Sequence, residues 1–199
     1  MTTRTPEHSP RKPYRVATPV GRYTLGFDAD SWPAAKVGGK ANGLYKAANA
    51  GLQIPHGFVV TTDAFDEVVE RVIPLVSCIE ELQEALMESD IPETLLEEIR
   101  GKMESIGATR WAVRSSAVAE DGARSFAGQQ HTVLNAKGLD GVLRAIREVW
   151  ASLYDKRGLA YRTRLAVDEV PTGMAVVIEE MLAPESGGVL FTRNPITHS

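Results

Sequence analysis

Trp111-Ala112-Val113-Arg114-Ser115-Ser116-Ala117 carries an apolar strand into an arginine, and Phe126-Ala127-Gly128-Gln129-Gln130-His131-Thr132 follows it with a glycine-bearing loop. A dense anion such as a polyphosphate requires that combination, because many N–H donors must converge on it. Arg114 lies among Trp111, Val113 and Ala117, so its charge must meet either an anionic ligand or a carboxylate. Glu120 and Asp121 are the nearby carboxylates, and both readings stand on this stretch alone. Gly128, Gln129 and Thr132 read as a flap whose backbone donors and hydroxyl close over phosphates and exclude water. A glycine hairpin without a ligand is the competing reading.

Outward toward the N-terminus, Val37-Gly38-Gly39-Lys40 leads into an alanine-rich helix from about Ala41 to Ala50, with Gly51 as its C′ residue. A glycine turn feeding a helix start lets the Lys40 ammonium and nearby N–H groups meet a phosphate together. The segment is not a P-loop, because its first glycine would fall at Ala34 and Ala41 follows the lysine. A purely structural turn is the alternative. Outward toward the C-terminus, Ala175 to Ile178 is an apolar run of central-strand type that ends in Glu179-Glu180. Adjacent strand residues face opposite ways, so one glutamate can face a pocket while the other faces solvent. Such a strand end suits adenine, although two solvated glutamates fit the spacing equally.

The remaining chain reads as supporting structure. Tyr23 to Phe27 and Phe58 to Thr61 are strands, and Asp63 caps a helix whose Phe65, Val68, Val69 and Val72 share one face. Glu80 to Met87 and Pro92 to Ile106 are helices, the second opening on proline at N1 and closing at Gly107. Trp111 to Arg114 and Thr132 to Asn135 are strands. Asp140 caps a helix whose Val142, Leu143, Ile146, Val149, Trp150 and Leu153 form a core stripe. Val189 to Thr192 is expected as the hairpin partner of Ala175 to Ile178.

With 199 residues, 43% hydrophobic and 24% charged, the composition is that of a soluble globular protein. The formal charge of −4 lacks the basic stripe that nucleic acid requires, so no nucleic-acid partner is expected. The absence of an apolar run near 18 residues leaves no membrane span to expect. Residues 1–21 read as a flexible tail holding Arg4, Arg11, Lys12 and Arg15. The single Cys78 sits in the apolar run Ile73 to Ile79 and reads as a buried thiol, consistent with a cytoplasmic location. His8, His56, His131 and His198 lie in no setting that would present a phosphoryl-carrying imidazole, and they build no triad or metal cluster.

Several ordered motifs then join. Gly38-Gly39-Lys40-Ala41-Asn42-Gly43-Leu44 and Ala50-Gly51-Leu52-Gln53-Ile54-Pro55-His56-Gly57-Phe58 resemble the opening of the phosphoenolpyruvate synthase and pyruvate phosphate dikinase family. The likeness continues through Ala112 to Ala117, Ala119-Glu120-Asp121, Ser125 to Gln129, Trp150 to Tyr154, Tyr161-Arg162 and Ala175 to Met181. It closes with Gly188-Val189-Leu190-Phe191-Thr192-Arg193-Asn194-Pro195-Ile196-Thr197, covering about residues 22 to 199.

The resemblance implies an α+β fold, an ATP-grasp-like nucleotide-binding domain over 22–199, incomplete at its C-terminal side. By matching motif, Lys40 and Arg114 hold the phosphates of ATP, Gly128 and Thr132 belong to the flap, and Glu179 meets the adenine edge. Met181 and Leu182 line the base. The family is an ATP-dependent phosphotransferase, passing a phosphoryl group to a histidine on a separate swivelling domain and on to a C-terminal substrate domain. A pyruvate, water dikinase (phosphoenolpyruvate synthase) is the first reading and a rifampin phosphotransferase the second. A non-catalytic nucleotide-binding or partner-docking module is the reading of another class. Mg²⁺ is expected for the complete domain, on ligands outside this chain. The chain alone then lacks the larger catalytic terms and is expected to be a catalytically incomplete fragment. Two departures stand out: the family commonly has Gln where Glu179 stands, and Glu120 to Ser125 is a residue shorter than usual.

Overall fold

The computed structural model describes residues 21–29, 31–117, 131–154 and 173–188. Among these residues, five strands, β1 (Thr24–Gly26), β2 (Gly57–Val60), β3 (Arg110–Ala117), β4 (Thr132–Lys137) and β5 (Met174–Glu180), form one sheet in the order β1-β2-β5-β3-β4. Each neighbouring pair is antiparallel. Among the described residues, five α-helices cover it: α1 (Ala34–Asn49), α2 (Thr62–Val72), α3 (Ile79–Glu88), α4 (Glu93–Ile106) and α5 (Gly138–Ala151). The α+β class expected from the sequence is observed.

Strand alternation divides the core in two. Trp111 and Val113 of β3, Phe58 and Val60 of β2, and Val176 and Ile178 of β5 face the larger cluster, with Phe65, Leu86, Leu95, Ile146 and Trp150 from the helices. Val59, Ala175 and Val177 face the other way, onto Val37 and Ala41 of α1 and onto Trp32. Trp32 stacks on Tyr45 at 5.4 Å and donates its Nε1–H to the Gly26 carbonyl at 3.2 Å. β5 is therefore covered on both faces, and its unbroken apolar run follows from that. The stripe read along α5 is buried as expected, from Val142 to Trp150, with Leu153 just beyond the helix.

Several local expectations change. Asp63 and Asp140 do not cap their helices: Thr61 and Lys137 hold the N-cap positions of α2 and α5, and neither makes a side-chain capping bond. The Asp63 carboxylate instead accepts from Lys36 Nζ at 2.6 Å, and both aspartates sit in first turns, where the helix dipole favours them. Pro92 is the N-cap of α4 rather than its first residue. Cys78 is exposed, because the apolar stripe of α2 ends at Val72 and the following turn directs Ile73 and Leu75 to solvent. Val189 to Thr192 lies outside the described residues, and β5 already has β2 and β3 on its two edges. α1 ends as read, with Gly51 at φ +81 and the Gly51 and Leu52 N–H groups returning to the Ala48 and Ala47 carbonyls.

Glu98 of α4 ties β1 to the helical layer. Its carboxylate accepts from the N–H groups of Arg22 (2.7 Å) and Tyr23 (3.0 Å) and from Thr24 Oγ1 (2.9 Å). Glu98→Ala is expected to cost about 2–3 kcal/mol, since bonds to a charged acceptor exceed neutral ones. The melting midpoint should fall by about 4–12 °C, measurable by thermal denaturation.

Candidate nucleotide site

The site is built where α1 crosses the sheet. α1 carries a break at Gly38, whose φ of 73° and ψ of 176° are non-helical, so the continuous helix begins only after it. This break brings the start of the helix down onto β3. A Cβ on Gly38 would lie 2.2 Å from the Ser116 carbonyl oxygen, which explains a glycine here. Ser116 is fully buried; its hydroxyl donates to the Val37 carbonyl at 2.7 Å and accepts from the Ala41 N–H at 3.1 Å.

Lys40 lies in the first turn after this break. Arg114 lies on the α1 face of β3, because Ala112, Arg114 and Ser116 alternate with the core residues Trp111, Val113 and Ser115. Lys40 and Arg114, with Gly43, Leu44 and Val177, line one cleft of about 250 Å³. Val177 is directly opposite Arg114 in the β3–β5 register, and Leu44 is one helical turn beyond Lys40. The cleft thus has two cations contributed by different elements and an apolar wall of Leu44 and Val177.

Glu179 also belongs here, in a role that local sequence does not reveal. Its buried carboxylate accepts from Arg114 Nη1 at 3.1 Å, with the arginine side chain 40% exposed and the glutamate 6%. Ala112 stands opposite Glu179 and Val177 opposite Arg114, so a neighbouring strand places both side chains on one face. Glu180 is the less buried of the two glutamates, as alternation requires, and its N–H donates to the His56 carbonyl at 2.8 Å.

Thr132 pairs with Arg114 across β3 and β4 and is exposed. A bulge, with Asn135 at φ 61°, separates this part of β4 from Ala136 and Lys137. Met181 donates its N–H to the Arg110 carbonyl at 2.9 Å, and Leu182 is exposed. Gly128 lies outside the described residues, as do Glu120 and Asp121. Residues lining the cleft that the sequence reading misses are Gly43, Leu44 and Val177. The i+4 position from Lys40 is the signal that could have found Leu44, whereas Val177 is brought in by the β3–β5 register.

The groups shifted by burial lie elsewhere: burial pushes the Tyr23 phenol and the Asp66 carboxyl up and the Lys102 ammonium down, and none of the three lines the cleft. Among the described residues, no group of three or more His, Cys, Asp or Glu side chains is placed to hold a metal ion. Among them, also, no helix is long and apolar enough to cross a membrane.

Comparison with known proteins identifies the family. Residues 34–199 match the family model described as pyruvate phosphate dikinase, AMP/ATP-binding domain. A rifampicin phosphotransferase of Streptomyces sviceus is 38% identical over 198 residues, covering 88% of this chain and 23% of that protein. A phosphoenolpyruvate synthase of Aeropyrum pernix is 36% identical over 188 residues, covering 81% and 23%. The prodigiosin synthesizing transferase PigC of Serratia marcescens is 35% identical over 169 residues, covering 81% and 19%. The chain therefore spans less than a quarter of the length of these curated relatives. With the match running from α1 and its Gly38 break through the cleft and beyond β5, the chain belongs to the AMP/ATP-binding domain family of pyruvate phosphate dikinase and phosphoenolpyruvate synthase.

Proposed function

We propose that this chain binds ATP in the cleft between α1 and β3, as the ATP-grasp-like nucleotide-binding part of an ATP-dependent phosphotransferase. The observation that carries this reading is the meeting of Lys40 and Arg114, from separate elements, in one cleft with an apolar wall. Two cations neutralise a polyphosphate, and Leu44 and Val177 offer apolar surface to the rest of the nucleotide. Lys40 supplies a compact positive charge near a helix start, and Arg114 a planar fork suited to two phosphate oxygens. Thr132, across from Arg114, adds a hydroxyl, and Gly128 belongs to the same flap in this reading.

The adenine end is assigned to Glu179, Met181 and Leu182. Since the Met181 N–H is already given to Arg110, the Met181 carbonyl and the Leu182 backbone are the remaining groups for the base there. Glu179 is held at Arg114 and must exchange that partner for the adenine amino group when nucleotide enters.

Bound Mg²⁺ would neutralise charge between the β- and γ-oxygens. Among the described residues no three His, Cys, Asp or Glu side chains are grouped to hold it, and in this reading its ligands lie outside this chain. In that protein the phosphoryl group passes to a carrier histidine on a swivelling domain, and then to the acceptor bound by a C-terminal substrate domain. A phosphoenolpyruvate synthase, acting on pyruvate in the cytoplasm, is our first reading. A rifampicin phosphotransferase is the second, supported by relatives of that name at 34–38% identity.

Calorimetric titration of the chain with ATP and Mg²⁺ tests the proposal. Lys40→Ala is expected to weaken ATP binding by about 10- to 100-fold, as loss of a charge-assisted contact implies, while leaving adenosine affinity unchanged. Equal ATP affinity in the two proteins would sink the assignment.

A further inference from the structure

The cleft depends on holding two cations from different elements at one spacing, and the buried Ser116 side chain spans the gap between those elements. Ser116 follows Arg114 on the same face of β3, about 6.8 Å further along an extended strand. Its hydroxyl donates to the Val37 carbonyl on one side of the Gly38 break and accepts from the Ala41 N–H on the other. The Ala41 N–H is among the first donors of the helix that opens after Gly38, groups that have no partner within the helix itself. Capping of this kind normally comes from the N-cap residue of the same segment. Here that residue is a glycine, and the cap comes from a strand 75 positions away.

We propose that Ser116 is a positioning residue for nucleotide: a cap supplied from β3 that fixes Lys40 relative to Arg114, so that both cations meet the same phosphate chain. The proposal rests on the nucleotide reading above. Lys40 lies between the two backbone groups that Ser116 grips, so its backbone cannot shift along the sheet without breaking one of those bonds. Close approach of Gly38 to the Ser116 carbonyl removes the room for such a shift from the other side. The hydroxyl needs both of its capacities at once, one proton to give and a lone pair to accept. Neither alanine nor valine can replace it. Preorganisation of this sort improves binding by removing the ordering that the ligand would otherwise have to impose.

The test is a double-mutant cycle on the 199-residue chain: wild type, Ser116→Ala, Lys40→Ala and the pair, each titrated with ATP and with adenosine. Ser116→Ala is expected to weaken ATP binding about 10-fold, to leave adenosine affinity unchanged, and to have no further effect once Lys40 is alanine. Ser116→Thr, which keeps a hydroxyl, should restore part of the affinity. A purely structural role would give equal losses for ATP and adenosine, or the same loss in the Lys40→Ala background, and either result overturns the proposal. So does a lower melting midpoint with unchanged ATP affinity. Should Ser116→Ala fail to fold, Ser116→Cys, of nearly the same shape and with a weak donor, takes its place in the cycle. Failure of wild type to bind ATP would remove the nucleotide reading alone. Amide hydrogen exchange then decides the anchor: faster exchange confined to residues 39–41 in Ser116→Ala supports it, and a uniform change refutes it.

Discussion

Arg114→Ala is expected to reduce ATP affinity by at least about 100-fold and, separately, to destabilise the fold. The first effect follows from loss of the guanidinium that meets the phosphates, a charge-assisted contact that contributes about 1.5–3 kcal/mol before any second bond of the fork is counted. The second follows from Glu179, whose carboxylate is 6% exposed and loses its cation. Breaking a fully buried pair costs about 3–5 kcal/mol. Arg114 is 40% exposed, so a loss of about 2–3 kcal/mol is expected here. Adding Glu179→Gln to Arg114→Ala separates the two, since an amide needs no counter-charge: stability should recover and ATP binding should not. Glu179→Gln alone should raise ATP affinity by about 3- to 10-fold, because phosphate no longer competes with a resident carboxylate for Arg114. Calorimetry and thermal denaturation of the three variants read both effects. Unchanged ATP affinity in Arg114→Ala would overturn its phosphate role, and lower affinity in Glu179→Gln would mean that the carboxylate helps nucleotide more than it competes.

The Glu179 pairing marks the limit of what the sequence conveys. Arg114 is legible as a cation that needs an anion, because a charge at the end of an apolar strand is costly without one. Glu120 and Asp121 are the partners that closeness in sequence suggests, whereas the structure supplies a carboxylate 65 positions away. That choice is made by the β3–β5 register, which local pattern does not encode. Lys40 and Arg114 are each readable from chemical type and setting, yet their meeting in one cleft depends on α1 lying across the sheet at Val37 and Ala41.

The same division runs through the fold. The apolar run of β5 and the stripe of α5 are readable because burial on both sheet faces, or on one helix face, imposes a pattern along a single segment. The strand order is not readable, since it joins β5 to strands from two distant parts of the chain. β3 extends beyond Arg114 to Ala117 because Ser115, Ser116 and Ala117 pair with Val176, Ala175 and Met174 of β5, and Ser116 also pairs its hydroxyl within the α1 break. Cys78 misleads for the opposite reason. Its apolar neighbours Ile73 and Leu75 lie in a short turn after the stripe of α2 has ended, so apolar composition there does not mean burial.

Gly38→Ala is expected to have the largest effect on stability of any single change at the site. At φ 73° and ψ 176°, Gly38 occupies a backbone region that is essentially glycine-only, and forcing another residue into it costs about 1–3 kcal/mol. The added methyl would also stand 2.2 Å from the Ser116 carbonyl oxygen and 2.6 Å from its carbon. Both are backbone atoms of a strand paired with β5, so no side chain can rotate out of the way. Relief requires α1 to lift from the sheet, which breaks the bonds of Ser116 to Val37 and Ala41 and opens the Val37, Ala41 and Val177 packing. A total loss of about 4–5 kcal/mol follows, a large share of the roughly 5–15 kcal/mol that holds a domain folded. Gly101→Ala is the internal control. Gly101 lies in α4, where an added methyl would meet nothing within 4 Å, and alanine there should stabilise the helix by about 0.5–1 kcal/mol. Urea denaturation of both variants reads the contrast: a sharply lower midpoint for Gly38→Ala beside an equal or higher one for Gly101→Ala. Equal midpoints for the two would mean that α1 does not need this break to sit on β3, and the cleft would lose the geometry that places Lys40 beside Arg114.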